Sequence, residues 1–323
     1  MHNCQLTHRH CPNCSSNNYQ VLIALKPDDF VQVNPTYDLN EVAALGLSSN
    51  YRFAICRCKD CGFQYSLEQL PVLLLERLYV HVIDSEKSRT KIITPSRRLS
   101  LLQIWFDLFS LLARDLGEVL DVSVFDYGCG WGDFLSVAQS PGIRVVGFDM
   151  DRRKVEYARQ VGVSVVESLD DVDRCSPFDV IVCNQVLEHL PDPHEAVARL
   201  NRWLKMGRFG YISVPNCDAP YMKNVSKALA QGRPIPKEVN PWEHLNYFTP
   251  ESLEEMLGRH GFTIISIPHE LQRLSSTCLR HSKGHFVKTR LAHSLSTLFR
   301  AHSDKSSSPS STSVYVQKVR EDE

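Results

Sequence analysis

The chain has 323 residues, of which 43% are hydrophobic and 23% are charged, and its formal net charge is −1. This composition is that of a globular protein with enough apolar material for one large and one smaller domain, and the near-neutral charge disfavours nucleic acid as a partner. No apolar run approaches the ~18 residues of a membrane span and no signal peptide is recognisable, so we expect a cytoplasmic protein without a membrane partner.

Two Cys-x-x-Cys pairs mark residues 1–75 as a zinc-knuckle module. The pairs are Cys11/Cys14 and Cys58/Cys61, among 11 cysteines in the chain. In a reducing compartment such pairs indicate metal rather than disulfides, and two of them supply the four thiolates of a structural zinc site that does no chemistry. A redox pair or separate buried thiols are the alternatives. Four nearby residues are candidate replacement ligands: Cys4, Cys56, His8 and His10.

Residues 76–120 read as a helical linker or lid. Apolar residues recur on one helical face, which predicts an amphipathic helix that packs against the following domain. These residues are Leu101, Ile104, Trp105, Leu108, Leu111 and Leu112. The basic cluster at 87–98 is either a solvated face or a contact for an anionic substrate.

A glycine-rich turn at 124–135, VFDYGCGWGDFL, begins the third segment, residues 121–323. It reads as a strand, a tight turn and a helix start, and Gly128, Gly130 and Gly132 let the backbone lie against a ligand. The spacing differs from the dinucleotide fingerprint, and the acid at Asp133 would repel a pyrophosphate. The acid at the strand end, Asp126, suits a cationic ligand instead. A turn without any ligand is the alternative.

Strands and helices then alternate up to residue 214, which predicts a parallel sheet covered by helices. The second strand ends in Asp149, 19 positions after Gly130, where a carboxylate can accept both hydroxyls of a ribose. Helix capping is the other role for such an acid, but Asp151 already occupies the capping position. The third and fourth strands end near Ser168 and Asn184, so all four strand ends converge on one cleft.

The rest of this segment contains two irregular stretches. Residues 217–247 read as an insertion over the cleft, because the stretch 217–240 holds several Pro and Gly residues and shows no clear period. After a helix with Thr249 as its N-cap comes a strand, and a Ser-rich loop at 303–313 precedes one last strand. A detached C-terminal tail is the alternative for that end of the chain.

These motifs together resemble class I methyltransferases that depend on S-adenosylmethionine (SAM). The motifs are FDYGCGWGDFL, VVGFDMD, the step at 167–169, FDVIVCNQVLEHLPDP and EHLNYFTPESLEEMLGRHGF. The resemblance covers roughly residues 121–319 and implies an α/β, Rossmann-like, seven-stranded sheet whose last strand is antiparallel and lies between the fifth and sixth. The small N-terminal module resembles the one that precedes the catalytic domain in some sugar C-methyltransferases, whose large C-terminal domain is not found in this sequence.

By motif position, the resemblance implies which residues bind SAM. Asp126 and Gly128 would hold the methionine moiety, Gly130 and Gly132 would shape the turn, Asp149 and Met150 would lie at the ribose, Ser168 and Leu169 would flank the adenine, and Asn184 would lie near the sulfonium. Structural zinc is the second cofactor that the sequence predicts.

Two histidines are candidates for proton transfer, which is needed only when the methyl acceptor must lose a proton. His189 follows the fourth strand and His244 lies in the insertion, and histidine titrates near neutrality. Each has a structural alternative, a turn cap for His189 and an anchor of the insertion for His244. Glu188 and Tyr247 are weaker candidates.

Motifs that are absent from the sequence narrow the chemical class of the methyl acceptor. No Asn/Asp-Pro-Pro-Tyr/Phe/Trp follows the fourth strand, which disfavours the methylation of amino groups on DNA bases and glutamine. Some quinone-pathway relatives carry Glu-x-x-Glu-His at this place, and Gln185 replaces the first Glu here, so we expect no catalytic metal. The favoured substrate is a small or medium-sized metabolite, with sugar nucleotides and secondary metabolites as examples. Alternatives are a tRNA or protein methyltransferase that docks through the zinc module and a non-catalytic SAM-binding protein.

Overall fold

The structure is a computed structural model of the chain. It describes residues 6–34, 36–45, 51–83, 89, 94–117, 121–271 and 311–322. Within those ranges no helix is both long enough and apolar enough to cross a membrane.

The first part of the chain contains short strands and helices. In order they are β1 (Thr7–His8), β2 (Tyr19–Leu25), α1 (Pro27–Val31), α2 (Leu39–Ala44), β3 (Phe53–Cys58), β4 (Gln64–Ser66), β5 (Glu68–Gln69), α3 (Val72–Arg77), a π-helical turn (Leu78–Val82) and α4 (Pro95–Leu116).

The second part alternates strands and helices. They are β6 (Val122–Tyr127), α5 (Asp133–Ala138), β7 (Ile143–Phe148), α6 (Arg152–Gln160), β8 (Val165–Val166), α7 (Leu169–Cys175), β9 (Phe178–Asn184), a 3₁₀ turn (Leu187–His189), α8 (Pro193–Trp203), β10 (Leu204–Pro215), α9 (Ala219–Ala230), β11 (Asn246–Tyr247), α10 (Pro250–Arg259), β12 (Phe262–Ile265) and β13 (Ser311–Lys318).

The large sheet has seven strands in the order β12-β13-β10-β9-β6-β7-β8. Strands β10, β9, β6, β7 and β8 are parallel, whereas β13 runs antiparallel to both of its neighbours. All six residues of β6 are buried, because helices cover both faces of the central strands. The predicted α/β fold with an antiparallel last strand between the fifth and sixth strands is therefore confirmed.

A smaller antiparallel sheet has the order β11-β4-β3-β2. Three of its strands come from the N-terminal module, but β11 comes from the segment predicted as an insertion, and Asn246 pairs with Tyr65. The two parts of the chain thus share one sheet. Their hydrophobic residues also form one cluster around the fully buried Trp242. The domain limits at 75 and 120 stay predictions.

Helix α4 packs against the large sheet, as its apolar periodicity predicted. The Thr94 side chain accepts a hydrogen bond from Arg97 N at the start of the helix. All six residues of the predicted apolar face are buried, and Trp105 contacts Phe134 of α5 edge to face at 6.4 Å. The face is therefore part of the core.

The structure adds a helix to the predicted insertion, which itself stays a prediction, and corrects the end of the predicted Ser-rich loop. Residues 217–247 are not wholly irregular, because they contain α9, whose N-cap Asp218 accepts a hydrogen bond from Tyr221 N. The buried residues of α9 are Met222 and Val225, so its apolar face is too narrow to give a clear period. The Ser-rich stretch 303–313 is not a loop to its end, since residues 311–313 already pair with β10. Its residues 303–310 lie outside the described part of the chain.

Candidate active site

The glycine turn after β6 forms one wall of a cleft at the carboxyl end of the sheet. Gly128 has φ +76°, and a Cβ atom there would lie 2.4 Å from Val186 Cγ2. Gly132 begins α5 in the left-handed conformation. Only glycine fits such a crowded position with positive φ. Nothing lies within 4 Å of the place where a Cβ of Gly130 would be, so a ligand can approach the backbone there.

The cleft brings together residues from α4, the glycine turn, α6 and the end of β9. Its polar lining includes Arg97, Asp126, Trp131, Asp133, Lys154 and Asn184. Four of the predicted cofactor residues are therefore at one place: Asp126, Gly128, Gly130 and Asn184. Trp131 was not predicted from the sequence, and its buried indole Nε1 has no hydrogen-bond partner.

Burial makes Asp126 an unusual acid. Asp126 is 4% exposed. Burial, together with the charges of Asp149 and Asp133, raises the pKa of its carboxyl to about 8. Burial also raises the pKa of Asp133, against the opposing charges of Arg97 and Arg98. A cation placed between such acids stabilises their ionised forms. The cleft therefore fits a ligand with a positive charge near Asp126.

Asp149 ties the end of β7 to the glycine turn. Its Oδ2 accepts a hydrogen bond from Gly130 N at 2.9 Å, and its Oδ1 accepts one from Asp151 N at 2.8 Å. A carboxylate has about four acceptor sites, so Asp149 keeps capacity for two ligand hydroxyls. Asp151 is the N-cap of α6 and accepts a hydrogen bond from Arg153 N. The cap and the proposed ribose acceptor are thus separate residues.

Five predicted cofactor residues are not among those that line this cleft: Gly132, Asp149, Met150, Ser168 and Leu169. Met150 is 84% exposed. Ser168 caps α7, where its hydroxyl accepts from Asp171 N at 3.2 Å and donates to Asp171 Oδ2 at 2.7 Å. Leu169 is the first residue of that helix and is partly buried. Their roles in cofactor binding stay predictions.

A second cluster joins Glu188, His189 and His244. Each residue offers one side-chain ligand atom, and these atoms all lie within 4.8 Å of one another. The two imidazole rings meet edge to face with centroids 4.7 Å apart. The structure therefore brings together both histidines that the sequence singled out, with Glu188 Oε1 at 3.9 Å from His189 Nε2. Such a donor set can transfer a proton or bind a divalent cation.

Hydrogen bonds fix the state of these side chains. His189 Nδ1 lies 2.9 Å from the carbonyl oxygen of Glu243, which can only accept, so Nδ1 carries the hydrogen and the neutral ring keeps a lone pair on Nε2. Glu188 is 1% exposed, and neither of its carboxyl oxygens has a hydrogen-bond partner. His189 Nε2 lies 3.9 Å from Oε1, an ion-pair distance that is too long for a hydrogen bond, so a ligand can still satisfy the hydrogen-bonding capacity of this buried carboxyl.

Burial shifts the titration of the cluster toward neutral forms. It raises the pKa of Glu188 to about 7, opposed by the charge of His189. Burial and the charge of His189 lower the pKa of His244 well below its ordinary value. His244 is therefore an uncharged imidazole at neutral pH, the state that can accept a proton.

Further buried polar groups lie at the end of β10 and in the predicted insertion. Burial and then the charge of Glu188 raise the pKa of Cys217, which places the end of β10 beside the cluster. The oxygen atoms Asn216 Oδ1, next to Cys217 in the chain, and Tyr221 Oη, in α9, are buried without hydrogen-bond partners among the described residues. Tyr247, the weaker candidate, is 1% exposed. These groups can bind a ligand that carries several hydroxyls.

A hydrogen-bond network that the sequence did not predict holds Glu243, the residue before His244. Glu243 Oε1 accepts hydrogen bonds from Tyr37 Oη at 2.6 Å and from Asn240 Nδ2 at 2.8 Å. Tyr37 and Glu243 are 206 positions apart, so no local pattern could reveal their contact.

The four predicted zinc ligands converge on one point. The sulfur atoms of Cys11 and Cys61 lie 3.5 Å apart and those of Cys14 and Cys58 lie 3.6 Å apart, and all four are within 4.8 Å of one another. A disulfide needs ~2.05 Å, whereas a tetrahedron with Zn–S distances of ~2.3 Å has sulfur atoms roughly 3.8 Å apart. The cluster therefore fits a structural zinc ion.

The local structure of the knuckles supports this fit. Gly62, directly after the second pair, has φ +78°, as the tight turn past a metal requires. Burial raises the pKa of Cys58, but hydrogen bonds from the backbone of Cys61 and Asp60 and from neighbouring thiols lower it to about 7.

Three of the four candidate replacement ligands are described, and none belongs to the cluster. Cys56 is buried elsewhere, His8 faces Glu68 at 3.9 Å, and His10 is exposed. Cys4 lies outside the described residues.

Comparison with known proteins agrees with this geometry. A family model described as a methyltransferase domain matches residues 97–267, more than half of the chain. The ubiquinone biosynthesis O-methyltransferase of Serratia proteamaculans is 28% identical over 185 residues, which is 51% of this chain and 75% of that protein. The enzyme of the same name from Thiobacillus denitrificans is 34% identical over 148 residues, which is 43% of this chain and 63% of that protein.

Two solved structures share the fold. The plantazolicin methyltransferase BamL, in complex with a triazolic desmethylPZN analog and SAH, superimposes with a TM-score of 0.51 at 15% identity, over 76% of this chain and 95% of that one. The plantazolicin methyltransferase BpumL, in complex with a monoazolic analog and SAH, gives a TM-score of 0.50 at 16% identity, over 76% and 94% of the two chains.

Proposed function

Because the chain belongs to the class I SAM-dependent methyltransferases, we propose that it methylates a hydroxyl group of a small or medium-sized metabolite, such as a sugar nucleotide or a secondary metabolite. Bound SAM supplies an activated methyl group on a sulfonium. The residues of the chain hold the two reactants, exclude water and accept the proton of the hydroxyl.

The cleft at the glycine turn is the proposed cofactor site. Asp149 would bind the ribose hydroxyls with its two remaining acceptor positions, and Asp126 would pair with the positive charges of SAM. A cation beside Asp126 removes the cause of its raised pKa, because an opposite charge favours the carboxylate. Asn184 lines the same cleft and is the last residue of β9, four positions before Glu188 in the chain.

The proposed acceptor site is the Glu188 cluster, and the buried carboxyl of Glu188, which has no hydrogen-bond partner, is the observation that carries the proposal. A hydroxyl group of the acceptor would donate a hydrogen bond to this carboxyl, and the unpartnered oxygen atoms of Tyr221 and Asn216 would bind further hydroxyls. Satisfying buried polar groups gives strong discrimination in favour of a ligand that has matching groups.

His244 is the proposed general base, and His189 is the second candidate. Burial and the charge of His189 lower the pKa of His244 well below its ordinary value, so its imidazole is uncharged at neutral pH and can accept a proton. Oxygen as the methyl-accepting atom is supported by the names of the relatives, which are O-methyltransferases of ubiquinone biosynthesis. Methyl transfer to oxygen requires loss of the hydroxyl proton, which a positioned base assists by about 10²–10⁴-fold.

The test is transfer of a labelled methyl group from SAM. Purified protein is incubated with labelled SAM and a panel of nucleotide-linked sugars, hydroxylated aromatic metabolites, bulk tRNA and protein extract, and the products are identified by mass spectrometry. We expect label in a hydroxylated metabolite. Label confined to the tRNA or protein fraction, or no transfer together with no calorimetric binding of SAM, overturns the proposal.

A His244→Ala variant then tests the base. We expect kcat to fall by about 10²–10⁴-fold with unchanged affinity for SAM, whereas His269→Ala, a change at an exposed histidine, leaves kcat unchanged. Wild-type turnover in His244→Ala removes this residue from the mechanism.

A further inference from the structure

Arg9 of the N-terminal module contacts both chain segments that carry the Glu188 cluster. Its Nη1 donates a hydrogen bond to the carbonyl oxygen of Leu245, the residue after His244, at 2.7 Å. Its Nη2 donates to the carbonyl oxygen of Pro191, two residues after His189, at 2.9 Å. One guanidinium group therefore spans the two segments that bring the histidines together.

Two further contacts extend this bridge. Arg9 Nη2 also donates to Asn246 Oδ1 at 3.1 Å, and Nη1 donates to the carbonyl oxygen of Ser66 at 3.3 Å. Asn246 is 2% exposed, and its Nδ2 donates to the carbonyl oxygens of Leu187 and Leu190 at 2.8 and 2.7 Å. Arg9 thus orients the amide that closes the turn around Glu188.

The same segments are joined directly by backbone hydrogen bonds. Leu245 N donates to the carbonyl oxygen of Glu188 at 2.7 Å, and Ser66 N of β4 donates to the carbonyl oxygen of Leu245 at 2.9 Å. The carbonyl group of Leu245 therefore accepts from Ser66 and from Arg9 together. Loss of the guanidinium would leave the carbonyl oxygen of Pro191 without this donor and loosen the approach of the two segments.

The geometry requires arginine rather than any cation. Four acceptors from three segments surround one planar group, and the fixed fork of five N–H donors matches several acceptors at once. A lysine keeps the charge but has three donors on one atom, so it cannot reach acceptors on both sides in the same way. Hydrogen bonds from a charged donor are about twice as strong as neutral ones.

We propose that Arg9 is a positioning residue of the methyltransferase site, through which the N-terminal module holds His244 and His189 against Glu188. Only the expected effect of Arg9 on catalysis rests on the proposed function. It gives the module a role in the reaction beyond binding a metal. The competing interpretation is that Arg9 only stabilises the fold of the module.

The experiment compares Arg9→Ala, Arg9→Lys and Lys59→Met. Lys59 is an exposed cation of the same module and serves as the matched control. Amide hydrogen exchange, read by mass spectrometry with residue resolution, follows the N–H of Leu245, and zinc content is measured in every variant. We expect exchange at Leu245 to rise at least about tenfold in Arg9→Ala, to rise less in Arg9→Lys and to stay unchanged in Lys59→Met, with equal zinc content.

Kinetics separate positioning from mere folding. We expect kcat of Arg9→Ala to fall by about tenfold to a hundredfold, as for a small displacement of reacting groups, with the dissociation constant of SAM unchanged. Added guanidinium ion should restore part of kcat in Arg9→Ala and none in wild-type protein. Restoration of this kind is not expected when the module is simply unfolded.

The outcomes distinguish this inference from the proposed function. Faster exchange at Leu245 supports the positioning role even if wild-type protein transfers no methyl group to the acceptor panel, which is a failure of the proposed function alone. Unchanged exchange at Leu245 in Arg9→Ala, or loss of zinc in step with a general rise in exchange over the module, overturns the positioning role.

Discussion

The backbone N–H of Gly130 donates a hydrogen bond to the Asp149 carboxylate over 2.9 Å, which joins the glycine turn after β6 to the end of β7. These two strands are parallel neighbours in register, so their ends meet at one edge of the sheet. The hydrogen bond holds the carboxylate next to a stretch of backbone that a ligand can approach. The loop and the acid therefore form one preorganised unit of the proposed cofactor site.

The first prediction concerns this acid. Asp149→Asn should weaken SAM binding by about tenfold to a hundredfold, because the hydrogen bonds of a charged acceptor are worth roughly 1.5–3 kcal/mol each. Calorimetric titration with SAM measures the effect. Asp151→Asn is the matched control, since Asp151 caps α6 and asparagine is an equally good cap; its affinity should stay within a few fold of wild type. Equal affinity in Asp149→Asn and wild type would contradict the ribose role.

The second prediction separates two glycines of the turn. In Gly128→Ala the new methyl group would lie 2.4 Å from Val186 Cγ2, whereas in Gly130→Ala it meets nothing within 4 Å. Both residues have positive φ, so both variants bear about 1 kcal/mol of backbone strain, but only Gly128→Ala adds the cost of overpacking, typically 1–3 kcal/mol.

Urea unfolding without ligand tests this order. Gly128→Ala should be the less stable variant, and Gly130→Ala should lose affinity for SAM more than stability, because its methyl group occupies the approach to the backbone. The reverse order of stabilities would show that the space around Gly130 is not open in solution.

Much of the fold is readable from the sequence because it depends on local patterns. Apolar runs that end in an acid gave β6 and β7, and Thr249, Pro250 and Gly261 marked α10 through its cap, its first turn and the positive φ after its end. The paired Cys-x-x-Cys spacing is likewise a local signal. The sulfur atoms of the four cysteines do converge in the structure.

The contacts that assemble the proposed acceptor site are not readable in this way. Residue type alone identifies His189 and His244 as candidates. Their edge-to-face contact, however, depends on the pairing of β11 with β4, and that pairing has no local signature in the sequence. The bonds from Arg9 to residues 182 and 236 positions away depend on the same long-range pairing. Helix α9 was missed because only two of its residues face the core.

The third prediction is a pH dependence of stability caused by Glu188. Burial raises its pKa from 4.5 to about 7 in the folded protein, so the folded state binds the proton more tightly than the unfolded state. The contribution of Glu188 to stability is therefore fully present below pH 4.5 and is lost as the pH rises to about 7, by on the order of 3 kcal/mol.

Urea unfolding of wild type and Glu188→Gln at pH 5 and pH 8 measures this contribution. The variant should gain stability relative to wild type at pH 8 and gain little at pH 5. His244 acts with the opposite sign, since its pKa is lowered by folding, and it is present in both proteins. Glu251→Gln, at an exposed glutamate, is the control. The same difference between variant and wild type at both pH values would show that Glu188 is not held in its acid form by burial.

The fourth prediction distinguishes the cysteines of the module. Cys58 belongs to the four-sulfur cluster and Cys56, two positions earlier, does not, although both are buried in β3. Elemental analysis of purified wild-type protein should give one zinc per chain, Cys58→Ser should lose most of it, and Cys56→Ser should keep it. Because zinc binding free energy in such sites is folding free energy, chelation should lower the Tm of wild type and Cys56→Ser but change that of Cys58→Ser little. Equal zinc content in the two serine variants, or well under one equivalent in wild type, would exclude the proposed ligand set.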